Sequence, residues 1–116
     1  MEFKFVLILF FINILLTKSD ARKPEVNSFI NVHSVEQHEV FQLMCGIRKG
    51  TKPFEFKWFK NNLEISSNSG VNIEEKLTSS TLSIDDVLRS HSGNYSCQVS
   101  NSDGFDRTST ILQVKS

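Results

Sequence analysis

Three histidines, two cysteines and one Asn-x-Ser triplet are the residues of this 116-residue chain best suited to chemistry. His33, His38 and His91 could carry a proton near neutral pH or bind a metal. A metal site needs three or four converging donors, and no third ligand accompanies His38 and His91. Exposed turn histidines are the plainer reading of that pair. "NSDGFD" (residues 101–106) alternates oxygen-bearing side chains like the start of a calcium loop, without its length or closing glutamate. A hairpin is the plainer reading there. Serine and aspartate are plentiful, but no nucleophile elbow, phosphate loop, H-E-x-x-H or paired-carboxylate motif is present. The sequence therefore points to no catalytic residues, no metal and no cofactor. Asn94-Tyr95-Ser96 remains, a glycan acceptor if the chain is secreted.

The N-terminal segment bears on that condition. "MEFKFVLILFFINILLTKSDA" carries Lys4 and then runs apolar from Phe5 to Leu16, broken only by Asn13. That run of about 12 residues is short of the roughly 20 that span a bilayer as a helix. Small residues follow, so cleavage after Ser19 or Ala21 suits a secretory leader over residues 1–21. An uncleaved signal anchor is the alternative. No second apolar run follows, so the mature part is expected to hold no membrane span. The product is either secreted whole or the outer piece of a longer membrane protein, and a reading frame continuing past Ser116 would decide. Thirteen basic residues balance thirteen acidic ones. A net charge of zero gives no long-range pull toward nucleic acid or an anionic membrane. Secretion puts Cys45 and Cys97 in an oxidising compartment, where an even pair reads as one disulfide. Closing the loop over residues 45–97 is worth roughly 4 kcal/mol. Two free thiols are the alternative.

These groups must be positioned by strands, because no segment has a helical period. Short alternating runs are separated by turn residues, as in a sandwich or barrel of antiparallel strands. "VFQLMCGI" points Phe41, Leu43, Cys45 and Ile47 one way, and "FEFKWF" does the same with Phe54, Phe56 and Trp58. "STLSIDDV" pairs Leu82 with Ile84. "NYSCQV" groups Tyr95, Cys97 and Val99 against an outward Asn94, Ser96 and Gln98, and "TSTILQV" aligns Leu112 with Val114. "EVNSFINV" reads as a single first strand containing Ile30 and Val32. Residues 48–53 form a loop, "KNN" a tight turn and residues 66–70 a polar loop. Asp103-Gly104 is the expected two-residue hairpin turn. On this register both cysteines point inward and can tie two sheets about 10 Å apart.

Cys45, Trp58, "LSI" with Val87, "SGNYSC" ending at Cys97 and "SNSDG", in that order, resemble an immunoglobulin domain of the intermediate (I-set) type. The resemblance covers residues 24–115. It implies an all-β sandwich of two antiparallel sheets with one inter-sheet disulfide and a core built on Trp58, Leu82 and Tyr95. "CGIRKGTKPFEFKWFKNN" and "HSGNYSCQVSN" are also similar to stretches of Dscam-like cell adhesion proteins, whose arthropod short forms carry an N-terminal variable domain of this kind. Two positions depart from the family pattern. His91 stands where an acid usually pairs with a base, for which Lys76 is the nearest candidate, so that salt bridge is expected to be missing or altered, and a common turn glycine is replaced near His38.

The resemblance implies extracellular protein–protein recognition in cell adhesion, with a second copy of the chain or another Ig-type receptor as partner. The alternatives are a free secreted single-domain binder, such as an immune recognition protein or a soluble antagonist of Ig-type receptors, and a spacer domain. A glycan on Asn94 would cover part of its sheet and leave a partner the other sheet or the edges. Phe59 is expected to face outward on that sheet, where it could anchor a partner; the plainer reading is a partly covered aromatic packed on Lys57 or Gln98. Ile111 and Met44 also face outward.

Overall fold

A computed structural model describes residues 21–116, so the leader expected over residues 1–21 lies, Ala21 apart, outside the described residues. In chain order the strands are β1 (Glu25–Val26), β2 (Val32–Glu36), β3 (Phe41–Lys49), β4 (Glu55–Lys60), β5 (Leu63–Ile65), β6 (Val71–Glu75), β7 (Ser79–Ile84), β8 (Gly93–Asn101) and β9 (Gly104–Lys115). A single 3-10 turn (Arg89–His91) joins β7 to β8. One sheet runs β1-β3-β7-β6 and the other β2-β9-β8-β4-β5. Strand pairs are antiparallel except β2 with β9, which run parallel.

The period-two pattern places the core as expected. Phe41, Leu43 and Cys45 of β3, Phe56 and Trp58 of β4, Leu82 and Ile84 of β7, and Tyr95, Cys97 and Val99 of β8 are all buried. Cys45 and Cys97 are bonded across the two sheets, their Cα atoms 6.3 Å apart. Trp58 lies opposite Cys97 on the neighbouring strand. Its Nε1–H donates to Ser80 Oγ at 2.8 Å, so the buried indole finds its partner on the facing sheet. The Phe29 ring stacks on it with centroids 6.1 Å apart.

Three expectations are corrected. The single first strand is two strands, one on each sheet: β1 pairs with β3 and β2 with β9. Val26, Phe29 and Val35 are the residues that turn inward, while Ile30 and Val32 are exposed. Their uneven spacing breaks the alternation where the chain crosses over. Polar groups of β9 hold the crossing segment: Val26 N–H donates to Asp106 Oδ2 (2.9 Å) and Phe29 N–H to Thr108 Oγ1 (2.8 Å). Secondly, residues 71–75 form a strand, β6, where the sequence pattern predicts none. Its Val71 and Ile73 face inward opposite Ile84 and Leu82, but Asn72, Glu74 and Glu75 dilute the signal on this edge strand. Thirdly, Asn101 pairs with Gly104, so the hairpin loop is Ser102–Asp103, one residue earlier than Asp103-Gly104. Gly104 (φ +153°) supplies the positive φ just past the turn. The "KNN" turn behaves as read: Asn61 (φ 50°) and Asn62 (φ 67°) link paired Lys60 and Leu63, as a primed hairpin turn requires.

Candidate recognition surfaces

The two unusual histidines lie at one end of the sandwich, joined through Val87 and Leu88. His38 N–H donates to Val87 O (2.7 Å), and Leu88 N–H donates to His91 Nδ1 (2.9 Å). His38 is exposed, with φ 73°, a conformation in which glycine is at ease. Its Nδ1 meets Asp86 Oδ1 at 2.8 Å with both side chains largely exposed, so the pair contributes little. His91 overturns the reading of an exposed turn histidine, because it is only 5% exposed. Since Nδ1 accepts a hydrogen bond from Leu88 N–H, Nε2 must carry the ring proton, and it donates to Ser69 O at 3.1 Å. The ring thus ties the β7–β8 connection to the β5–β6 loop. Lys76, the base expected to face this position, lies at the far end of β6 beside Ser79, so the joining role at this corner belongs to the His91 ring alone. Tyr95 completes this corner by donating its hydroxyl to His91 O at 2.6 Å. Burial pushes the Tyr95 pKa up to about 12. Lys60 Nζ donates to Ser90 O beside it and lies 5.9 Å from the Tyr95 ring centroid.

No three His, Cys, Asp or Glu side chains among the described residues converge to hold a metal. What the molecule offers is two sheet faces. On the outer face of the five-stranded sheet, Asn94 is exposed, with Ile111 beside it on β9 and Val32 next on β2. Ser96, expected on a wet face, is 3% exposed. Phe59 and Ser109 flank it on either side, and its hydroxyl lies 2.7 Å from Ser109 Oγ. Phe59 does face outward, and it is covered by Arg107, whose guanidinium carbon sits 4.5 Å from the ring centroid. The Arg107 contact crosses from β4 to β9, over β8, and so could not be read from neighbours on one strand.

The outer face of the four-stranded sheet is different. Met44 is 62% exposed and lies in a row with Thr81 and Glu74. The next row is Gln42, Ser83 and Asn72. Of these six outward side chains only Glu74 is charged. A polarizable, flexible side chain amid uncharged polar groups is a surface that adapts to a partner without desolvating many charges.

Two sheets tied by a disulfide between β3 and β8, a tryptophan across from the second cysteine and a tyrosine two residues before it define an immunoglobulin domain. The chain belongs to that family, whose immunoglobulin-domain model matches residues 23–101. The split first strand and the short β5 give it the I-set arrangement. Among its relatives, the mouse (Mus musculus) cell adhesion molecule DSCAML1 is 38% identical over 63 residues, 54% of this chain and 3% of that protein. The Drosophila melanogaster cell adhesion molecule Dscam2 is 27% identical over 93 residues, 79% of this chain and 4% of that protein. The Dscam1 Ig7 domain, isoform 5, superposes with a TM-score of 0.75 at 26% identity, covering 80% of this chain and 97% of that domain. The chain therefore corresponds to only 3% and 4% of the length of DSCAML1 and Dscam2.

Proposed function

We propose that the chain is an extracellular, non-catalytic recognition domain that acts by protein–protein contact in cell adhesion, with a second copy of itself as partner. The observation that carries this reading is the Met44 face: an exposed, nearly uncharged sheet surface on a domain whose relatives are named cell adhesion molecules. Two such faces related by a two-fold axis would bring Met44 of each copy to the centre of an isologous contact. The disulfide supports an oxidising, extracellular setting. Residues 1–21 are assigned as the secretory leader and 24–115 as the domain. Asn94 is assigned as the glycan site on the opposite sheet, which leaves the Met44 face open. The assignment of the leader is checked by the N-terminal sequence of the secreted product.

Sedimentation equilibrium of the mature chain and of Met44→Glu tests the contact. Met44 is exposed, so the substitution leaves the fold intact, and the expected result is at least a tenfold weaker self-association, about 1.4 kcal/mol. A wild-type chain that stays monomeric at high concentration, or equal association of both proteins, would remove the self-recognition reading.

A further inference from the structure

Glycan transfer to the Asn94 triplet needs two groups: the amide nitrogen that receives the sugar and the hydroxyl two residues on that makes the triplet an acceptor. Positions two apart on a strand share a face, so Asn94 and Ser96 both point outward from β8. Only one of them is accessible. Asn94 is exposed, whereas Ser96 is 3% exposed and its hydroxyl is engaged with Ser109 Oγ at 2.7 Å. Phe59, held under the Arg107 guanidinium, closes the other side. The backbone is equally occupied. Asn94 N–H donates to Asn61 Oδ1 (2.9 Å), and Asn94 O accepts from Asn61 N–H (2.8 Å). From Tyr95 to Ser100, β8 is paired with β4 on one side and β9 on the other. An enzyme that must grip this triplet finds neither its hydroxyl nor its backbone free in the folded domain.

We propose that Asn94 is modified only while β8 is unpaired, so that glycan transfer must precede docking of β8 and closure of the buried Cys45–Cys97 bridge; this rests on the extracellular reading above. In the step itself, Asn94 Nδ2 forms a bond to the anomeric carbon of an N-acetylglucosamine carried on a lipid pyrophosphate. The bond from that carbon to the pyrophosphate oxygen breaks, the lipid pyrophosphate leaves with the electron pair, and the proton from Nδ2 passes to a base of the transferase. No oxidant or reductant is consumed. Cys97 follows Ser96 directly and is fully buried once bonded to Cys45, so the same few residues are claimed by two covalent reactions in sequence. The glycan, once attached, does not oppose folding. It leaves from an exposed side chain beside Ile111 and Val32, 46% and 42% exposed, an apolar pair that the first sugars would cover.

The test uses the unglycosylated mature chain in two states, oxidised and folded, or reduced and carboxymethylated. Each is incubated with an oligosaccharyltransferase and lipid-linked oligosaccharide, with Asn94→Gln as the blank, and occupancy is followed by mass spectrometry. Transfer to the folded chain is limited to its open fraction, so it is expected to be slower by a factor on the order of 10³ or more. A ratio above about a hundredfold upholds the order of events, on the same open-fraction argument. A smaller ratio, or faster transfer to the folded chain, overturns it while leaving the acceptor reading intact. No transfer to either state overturns the acceptor reading as well, and leaves the Met44 contact to stand or fall by its own test.

Discussion

Tyr95 is the chain's single tyrosine, so one side chain reports on the corner that holds the sandwich closed. Its hydroxyl is kept neutral by burial, with a pKa of about 12 against an ordinary 10.0. The folded state therefore holds this proton more tightly than the unfolded one. The corresponding stability is complete below pH 10 and is lost as pH rises from there through 12, about 3 kcal/mol in all. Tyrosinate absorbance should rise near pH 12 in the folded protein and near pH 10 in urea, and Tyr95→Phe should flatten the alkaline fall in stability. His91 gives a second expectation. His91→Ala removes both ring hydrogen bonds and should cost about 2 kcal/mol by urea denaturation. His91→Asn keeps a neutral acceptor for Leu88 N–H and should cost measurably less. Tyr95, Cys97, Cys45, Trp58 and Leu82 were legible in the sequence because each recurs at period two in a run of apolar residues. His91 was not, because its two partners, Leu88 N–H and Ser69 O, are backbone groups of loops that no side-chain pattern marks.

Strands β8 and β9 show how an element can carry an imperfection in an otherwise regular ladder. Thr110 faces inward opposite Tyr95, is 2% exposed, and its Oγ1 has no hydrogen-bond partner among the described residues. A buried hydroxyl left unpaired costs about 1–3 kcal/mol relative to an apolar group of the same shape. Thr110→Val should therefore stabilise the domain by roughly 1 kcal/mol, seen as a higher urea midpoint with an unchanged slope. Elements in the middle of each sheet were legible and those at the edges were not. Strands β3, β4 and β7 are covered on one face and alternate, and β8 does so apart from the buried Ser96. Strands β1, β2 and β6 have a partner on one side only, and their apolar positions follow local needs. At the β1–β2 crossing, Phe29 must reach Trp58 and backbone donors must reach Asp106 and Thr108, which no period-two rule anticipates.

At the scale of the whole molecule the two sheets are held by one covalent link between residues 52 apart. Replacing it by Cys45→Ala/Cys97→Ala should lower stability by about 4 kcal/mol on the chain-entropy account, comparable with the entire net stability of a small domain. Equilibrium urea unfolding of the double variant measures this, and a loss under about 1 kcal/mol would mean that the unfolded chain already keeps the two cysteines near each other. The two-sheet architecture and its bridge were legible, because residue types alone fix an inward cysteine on each of two alternating strands. The face that meets a partner was not, because Met44 gains its meaning from Gln42, Thr81, Ser83 and Asn72, which only the strand register assembles. The parallel pairing of β2 with β9 has a mechanical corollary. Strand β1 lies beside Lys49 at one pole, and β9 ends beside Glu36 at the other. Tension along the chain pulls β2 and β9 in opposite directions along their shared length. Their hydrogen bonds, together with Ile111 N–H to Asn31 O and Gln37 N–H to Lys115 O, then share the load in shear rather than opening one at a time. If that clamp yields, the loop from Cys45 to Cys97 cannot be drawn out, and the domain behaves as a tether with a short, fixed extension.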